Sequence, residues 1–303
     1  MEIKSTALEI SSYQVIPIAT GIFGLDGGAM FGTVPKILWE KQIPADAQNR
    51  IPMEARALLL KGVGPNKIKN ILIDCGNGGH FIEKFGEKLG SKFAQMYNID
   101  PEGPSLLGSL KKAGLTPEDI TDVIFTHLHF DHCGGGTTWR DGQIKSQFPR
   151  ATYYVQSENL QTAQNPNIRE KASYLAPNFL PLIESGQLKI INGPQENLLP
   201  GVSVGISHGH TKGQQWVRVS DGQQTLVYCG DVIPTRAHVR SAWIMGYDLD
   251  PLKIIEEKTT LLSAAADDRW YLFFEHDSEV DACKVVRNGA DFAVSECFKL
   301  QCQ

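Results

Sequence analysis

Residues 126–136 read THLHFDHCGGG, three histidines and an aspartate within six positions, closed by a run of glycines. They follow DVIF (122–125), an apolar run with the composition of a buried strand. His127 and His129 stand two apart, so on an extended strand end they project to the same side. Asp131 and His132 lie beyond that strand and turn back only if the chain bends sharply. Gly134, Gly135 and Gly136 permit tight backbone there and let a helix N-terminus approach. Imidazole nitrogen and carboxylate oxygen are donors for zinc, and catalytic zinc sites keep a position for water. A single histidine here would read as a loop residue satisfied by backbone or solvent. Three of them with an aspartate, in this order, point to metal.

Further donors stand alone at the ends of other apolar runs: His210 in SHGHTKG, Asp231 in VYCGDVIP and His276 in LFFEHD. An ionisable side chain emerging from such a run is costly unless paired or ligated. With the cluster they make seven donors, enough for two metals sharing one carboxylate.

In this order HxHxDH (127–132), GHT (209–211), GD (230–231) and a final histidine (276) resemble the metallo-β-lactamase superfamily of hydrolases. The resemblance implies an α/β fold, a four-layer αββα sandwich with mixed sheets and the metals at one edge. It implies two zinc ions: one on His127, His129 and His210, the other on Asp131, His132 and His276, with Asp231 bridging. His208 competes with His210, but His210 holds the GHT position, which leaves His208 to line the site or make a structural hydrogen bond. Asp74, in LIDCGNG, matches a strand-end aspartate of the family that acts as an outer partner of the ligands; the other reading is a turn aspartate before Gly76. Cys133 matches no ligand and is read as a neighbour.

The rest of the chain reads as strands and helices in alternation. YQVIPIATG, ARALLLKG, NILIDCGNG, ATYYVQ, QLKIING, GVSVGIS, QQWVRVS, QTLVYCGD and WYLFFEH are β-like, and Asp221-Gly222 favours a tight hairpin between two of them. PSLLGSLKKAGL has helical spacing. TPEDI supplies a cap at Thr116 with Pro117 in first position, Asp250 caps a long helix opening on Pro251, and 157–185 is read as helical. No linker or low-complexity stretch interrupts residues 1–303, which are read as one domain.

The 303 residues carry a formal charge of -5, with no basic face for nucleic acid and no polybasic membrane anchor. No signal-peptide core or membrane span is legible, so a cytoplasmic protein acting on a small molecule is expected. The oligomeric state is open, a homodimer included. The six cysteines (Cys75, Cys133, Cys229, Cys283, Cys297, Cys302) have no CxxC spacing and read as reduced thiols, with a Cys297–Cys302 pair as the alternative.

The expected reaction is attack of a metal-bridging hydroxide on a lactone or carboxylic ester, with Asp131 relaying a proton to the leaving oxygen. LDGGAMFGTVPKILWEK (25–41) resembles the N-terminal stretch of the quorum-quenching lactonase-like branch, which acts on N-acyl homoserine lactones, and of the related methyl parathion hydrolases. Met30 and Phe31 there, and His238, Trp243 and Tyr247 after Asp231, are candidate substrate contacts. Phosphotriester hydrolysis is the second reading, and a metal-binding accessory protein without turnover the third. The cluster keeps histidine at its second position, unlike flavin-linked di-iron oxidoreductases. The acidic balance does not suit a nuclease, and the short C-terminal segment does not suit a glyoxalase.

Overall fold

The computed structural model describes residues 2–100 and 102–301. Two large sheets dominate. One runs, in spatial order, through Gln195–Leu199, Val202–Ser207, Gln214–Ser220, Thr225–Tyr228, Tyr271–Phe273, Ala282–Asn288 and Asp291–Leu300 to Ile3–Thr6. The other runs through Leu8–Ile10, Tyr13–Ile18, Ala57–Gly62, Asn70–Ile73, Asp122–Ile124, Thr152–Gln156 and Leu188–Ile191. Both mix parallel and antiparallel neighbours.

Strand alternation explains the layers, because each sheet buries both faces. Ile71, Ile73, Leu58 and Leu60 of one sheet meet Val217, Val219, Leu226 and Phe273 of the other in a shared core. On the outer face of the first group, Leu59, Leu72 and Val123 pack under Leu110 and Leu160 of the helices Leu106–Lys112 and Ser157–Gln164. On the opposite outside, Val227, Leu272 and Val285 pack under Ile254, Leu261 and Leu262 of the helix Pro251–Asp267. The result is the expected four-layer αββα arrangement. Asp250 caps that helix as read, accepting from Lys253 N at 3.0 Å.

Local readings needed correction in three places. The cap at Thr116 is real, with a reciprocal Thr116–Asp119 box, but it opens only the 3-10 turn Pro117–Asp119 before the chain enters a strand. Asp221 and Gly222 begin a four-residue loop, closed by Asp221 accepting from the amides of Gln223 and Gln224, rather than a two-residue hairpin. Within 157–185, helix is confined to Ser157–Gln164 and Leu180–Glu184, separated by a loop and the turn Ala176–Asn178. Cys302 lies outside the described residues. Cys297 faces Cys283 across the C-terminal hairpin, with their sulfurs 3.0 Å apart. Among the described residues, no helix is long and apolar enough to cross a membrane.

Candidate metal centre

The strand Asp122–Ile124 leads into the cluster. His127 and His129 occupy the loop after it, and His129 caps the short helix Phe130–Cys133, whose first turn supplies Asp131 and His132. That helix is the sharp bend the spacing required. The glycines behind it allow close contact: a Cβ on Gly134 would fall 2.2 Å from the Asn77 carbonyl oxygen, and one on Gly135 would fall 2.2 Å from that of Cys75. Gly230 takes a left-handed φ of +51° to deliver Asp231 from the end of Thr225–Tyr228. With its amide oriented to suit its neighbours, Gln214 Oε1 accepts from the amides of Asp231 and Val232 at 3.0 and 2.9 Å.

All seven donors converge. His129 turns Nδ1 inward, 2.9 Å from His127 Nε2 and 3.3 Å from His210 Nε2. Asp231 Oδ2 lies 3.2 Å from His210 Nε2 and 3.5 Å from His132 Nε2, while its Oδ1 lies 3.1 Å from His276 Nε2. Asp131 closes the far side, 3.8 Å from His276 Nε2 and 3.9 Å from His132 Nε2. The atoms fall into two groups, His127, His129, His210 and Asp231 in one, Asp131, His132 and His276 in the other, each within 4.8 Å. Asp231 reaches both.

Hydrogen bonding alone does not account for this packing. His132 Nε2, His276 Nε2 and Asp231 Oδ1 are buried and make no hydrogen bond, a cost of about 1–3 kcal/mol each. His127 and His129, held neutral, face these groups with lone pairs of their own, and so many converging donor atoms call for a cation among them. The donor set therefore fits a dinuclear metal site.

The outer contacts fix which nitrogen points inward. His210 Nδ1 is bound to Asp248 at 2.9 Å, and His276 Nδ1 to the Glu54 carbonyl at 2.9 Å. His132 Nδ1 lies 3.0 Å from Asp74 and 2.8 Å from Glu275. Asp74 also accepts from Thr126 N and Oγ1, and Thr126 Oγ1 meets His127 Nδ1 at 3.1 Å. Asp74 thus bonds to His132 and Thr126 behind the converging donors. Glu275 and Asp248 were not recognised in the sequence; Glu275 had the same signal as His276, a charge at the end of an apolar run, whereas Asp248 had none.

Burial, followed by neighbouring imidazoles, holds His127 and His129 well below the usual histidine range, so both present neutral rings. Burial also disfavours a charged His276, but Asp231 and Glu275 outweigh it and hold the ring up to about 9. Asp231 is held well below the carboxylate range against its burial by His132, His210 and His276. Without a cation, carboxylates keep protons on these rings that a metal would displace.

Beside the donors lies a cavity of about 170 Å³, lined by His129, Asp131, His210, Asp231 and His276 and by an apolar wall that includes Leu25, Met30, Met53, Phe130 and Met245. Of the candidate substrate contacts, Met30 and Tyr247 line it; Phe31, His238 and Trp243 do not. Phe31 is buried in a stack, 5.3 Å from Trp39 and 4.6 Å from His238, with Trp243 edge-on at 5.8 Å. Both nitrogens of His238 are engaged, Nε2 with Met30 O and Nδ1 with Thr235 Oγ1, each at 2.8 Å. Burial lowers His238 to about 3, leaving a neutral ring that supports Met30 from behind. His208 is not among the converging donors and makes a structural hydrogen bond instead. Its Nδ1 accepts from Gly213 N at 3.3 Å and sits 3.3 Å from Glu158. Cys133 turns its sulfur to the Leu128 carbonyl. Tyr97, Arg169, Glu170 and Ser173, all absent from the sequence reading, line the cavity.

Residues 63–276 match the Metallo-beta-lactamase superfamily. An N-acyl homoserine lactonase of Bacillus cereus is 30% identical over 183 residues, 58% of this chain and 64% of its own length. The crystal structure of a "probable metal-dependent hydrolase" from Staphylococcus aureus, 29% identical, superposes with a TM-score of 0.84 over 96% of this chain and 98% of that one. AidC, a dizinc quorum-quenching lactonase in complex with a product N-hexanoyl-L-homoserine, shares the fold at 20% identity, with a TM-score of 0.76 over 96% of each chain. The match spans most of the chain, including all seven converging donors, and the chain belongs to the metallo-beta-lactamase superfamily.

Proposed function

We propose that this metal-dependent hydrolase opens lactones or cleaves carboxylic esters with two zinc ions. The observation that carries the reading is the paired donor set, with Asp231 between its halves, opening onto one cavity with an apolar wall. Zinc held by His127, His129, His210 and Asp231 and by Asp131, His132 and His276 would supply a Lewis acid for the carbonyl oxygen and would activate water as the nucleophile. Asp131 lines the cavity, where its carboxylate would take the proton released by the attacking water and hand it to the leaving alkoxide oxygen as the carbonyl–oxygen bond breaks. The apolar wall takes up the acyl chain and keeps bulk water away. Similarity to an N-acyl homoserine lactonase supports a lactone over a phosphotriester.

The test pairs metal analysis with a panel of acyl-homoserine lactones, aryl esters and paraoxon-type phosphotriesters. Two zinc ions per chain with lactone or ester turnover supports the reading. A fully loaded protein inert to the whole panel overturns it, and preference for phosphotriesters moves the substrate class.

A further inference from the structure

Arg169 lies on the loop between Ser157–Gln164 and Ala176–Asn178 and lines the cavity beside the metal donors. No other basic side chain among the described residues lines it; the remaining charged groups there are the carboxylates Asp131, Glu170 and Asp231, and the histidines are metal donors. Arg169 is exposed, and its Nη2 donates to the carbonyl of Gly246, between the lining residues Met245 and Tyr247, which fixes the guanidinium against that part of the lining.

Glu170, although adjacent, does not neutralise it. One Glu170 oxygen accepts from Thr211 Oγ1 and the other from Asn167 Nδ2 at 2.6 Å. A guanidinium has five N–H donors in a planar fork, and the Gly246 carbonyl occupies one nitrogen. That contact takes only one N–H of Nη2, and the guanidinium edge carrying its second N–H matches a carboxylate bidentately. A phosphate dianion would call for a second cation that the lining does not contain.

We propose that Arg169 is a substrate-binding residue selecting esters or lactones that carry a carboxylate. The assignment rests on the ester-hydrolase reading above for its reaction, but not for its binding test.

The experiment uses the full, zinc-loaded chain and two ester pairs differing by a carboxylate: p-nitrophenyl hemisuccinate against p-nitrophenyl butyrate, and 4-carboxyphenyl butyrate against phenyl butyrate. In R169A the ratio of kcat/KM, acid over neutral, falls by at least about tenfold in one pair, chiefly through KM, as expected for losing a charge-assisted pair. R169K recovers part of it, and the responding pair shows whether the carboxylate sits on the acyl or the leaving side. An unchanged ratio in both pairs overturns the proposal. Where no ester is turned over, calorimetry on the anilides decides, with succinanilic acid and 4-butyramidobenzoate measured against butyranilide. An acid advantage lost in R169A then upholds Arg169 while the ester-hydrolase reading fails. An acid advantage that is absent, or that survives in R169A, overturns Arg169.

Discussion

Asp231→Asn perturbs the one side chain that reaches both donor groups while leaving its volume almost unchanged. In the protein, Oδ2 faces His210 at 3.2 Å and Oδ1 faces His276 at 3.1 Å. The amide keeps one oxygen as a ligand and turns an NH2 toward the other ring, so one ion loses both a ligand atom and a counter-charge. A unit charge about 4 Å from another, at an effective dielectric near 20, contributes about 4 kcal/mol. Discounted for the oxygen that still binds, the loss is about 3 kcal/mol, roughly a hundredfold in affinity for one zinc equivalent. Competition with a chromophoric chelator, alongside elemental analysis, reads that number directly. On the two-ion reading proposed above, hydrolysis is expected to fall with it. Two zinc ions bound with unaltered affinity and full turnover in the variant would refute the bridging assignment.

His238→Phe keeps the ring stack but removes the ring's bonds to Met30 O and Thr235 Oγ1, the latter still accepting from Ala237 N, at a cost of about 1–3 kcal/mol; a lowered Tm with metal content intact is expected, and a KM change without a Tm change would restore a direct substrate role. Lys258→Met removes a buried ammonium that donates to the carbonyls of His238, Arg240 and Trp243 at 3.2, 3.0 and 2.6 Å; chemical unfolding is expected to show a loss of about 3 kcal/mol, and a stability within error of wild type would contradict the clamp. Metal affinity is expected to rise with pH between 6 and 8, because His276 is held up to about 9 and zinc must displace its proton throughout that window. Chelator competition at three pH values checks this, and pH-independent affinity would count against it.

The metal site was legible because its chemistry is locally concentrated. Four donors fall within six residues, and His210, Asp231 and His276 each end an apolar strand, where an unligated charge is expensive. The same cost argument covers Glu275, one residue earlier in LFFEHD, and would have found it had it been applied to both charges. Asp248 is different: its bond to His210 depends on where the 240–250 loop returns, a long-range matter with no local trace. The C-terminal hairpin turns at Gly289 and Ala290, between the paired Asn288 and Asp291, with Gly289 at a left-handed φ of 62°.

The substrate wall was misjudged for a physical reason. Closeness in sequence to Asp231 stood in for reach into the cavity, yet the backbone there turns His238 and Trp243 onto Phe31 and away from the metals. The loop 165–175 falls inside the stretch read as helical, carries no donor cluster, and supplies Arg169, Glu170 and Ser173. Periodicity and donor clustering report what must be buried or ligated. A side chain that waits for substrate satisfies neither demand in the free protein, so specificity residues such as Arg169 escape those signals by the same property that leaves them available to bind.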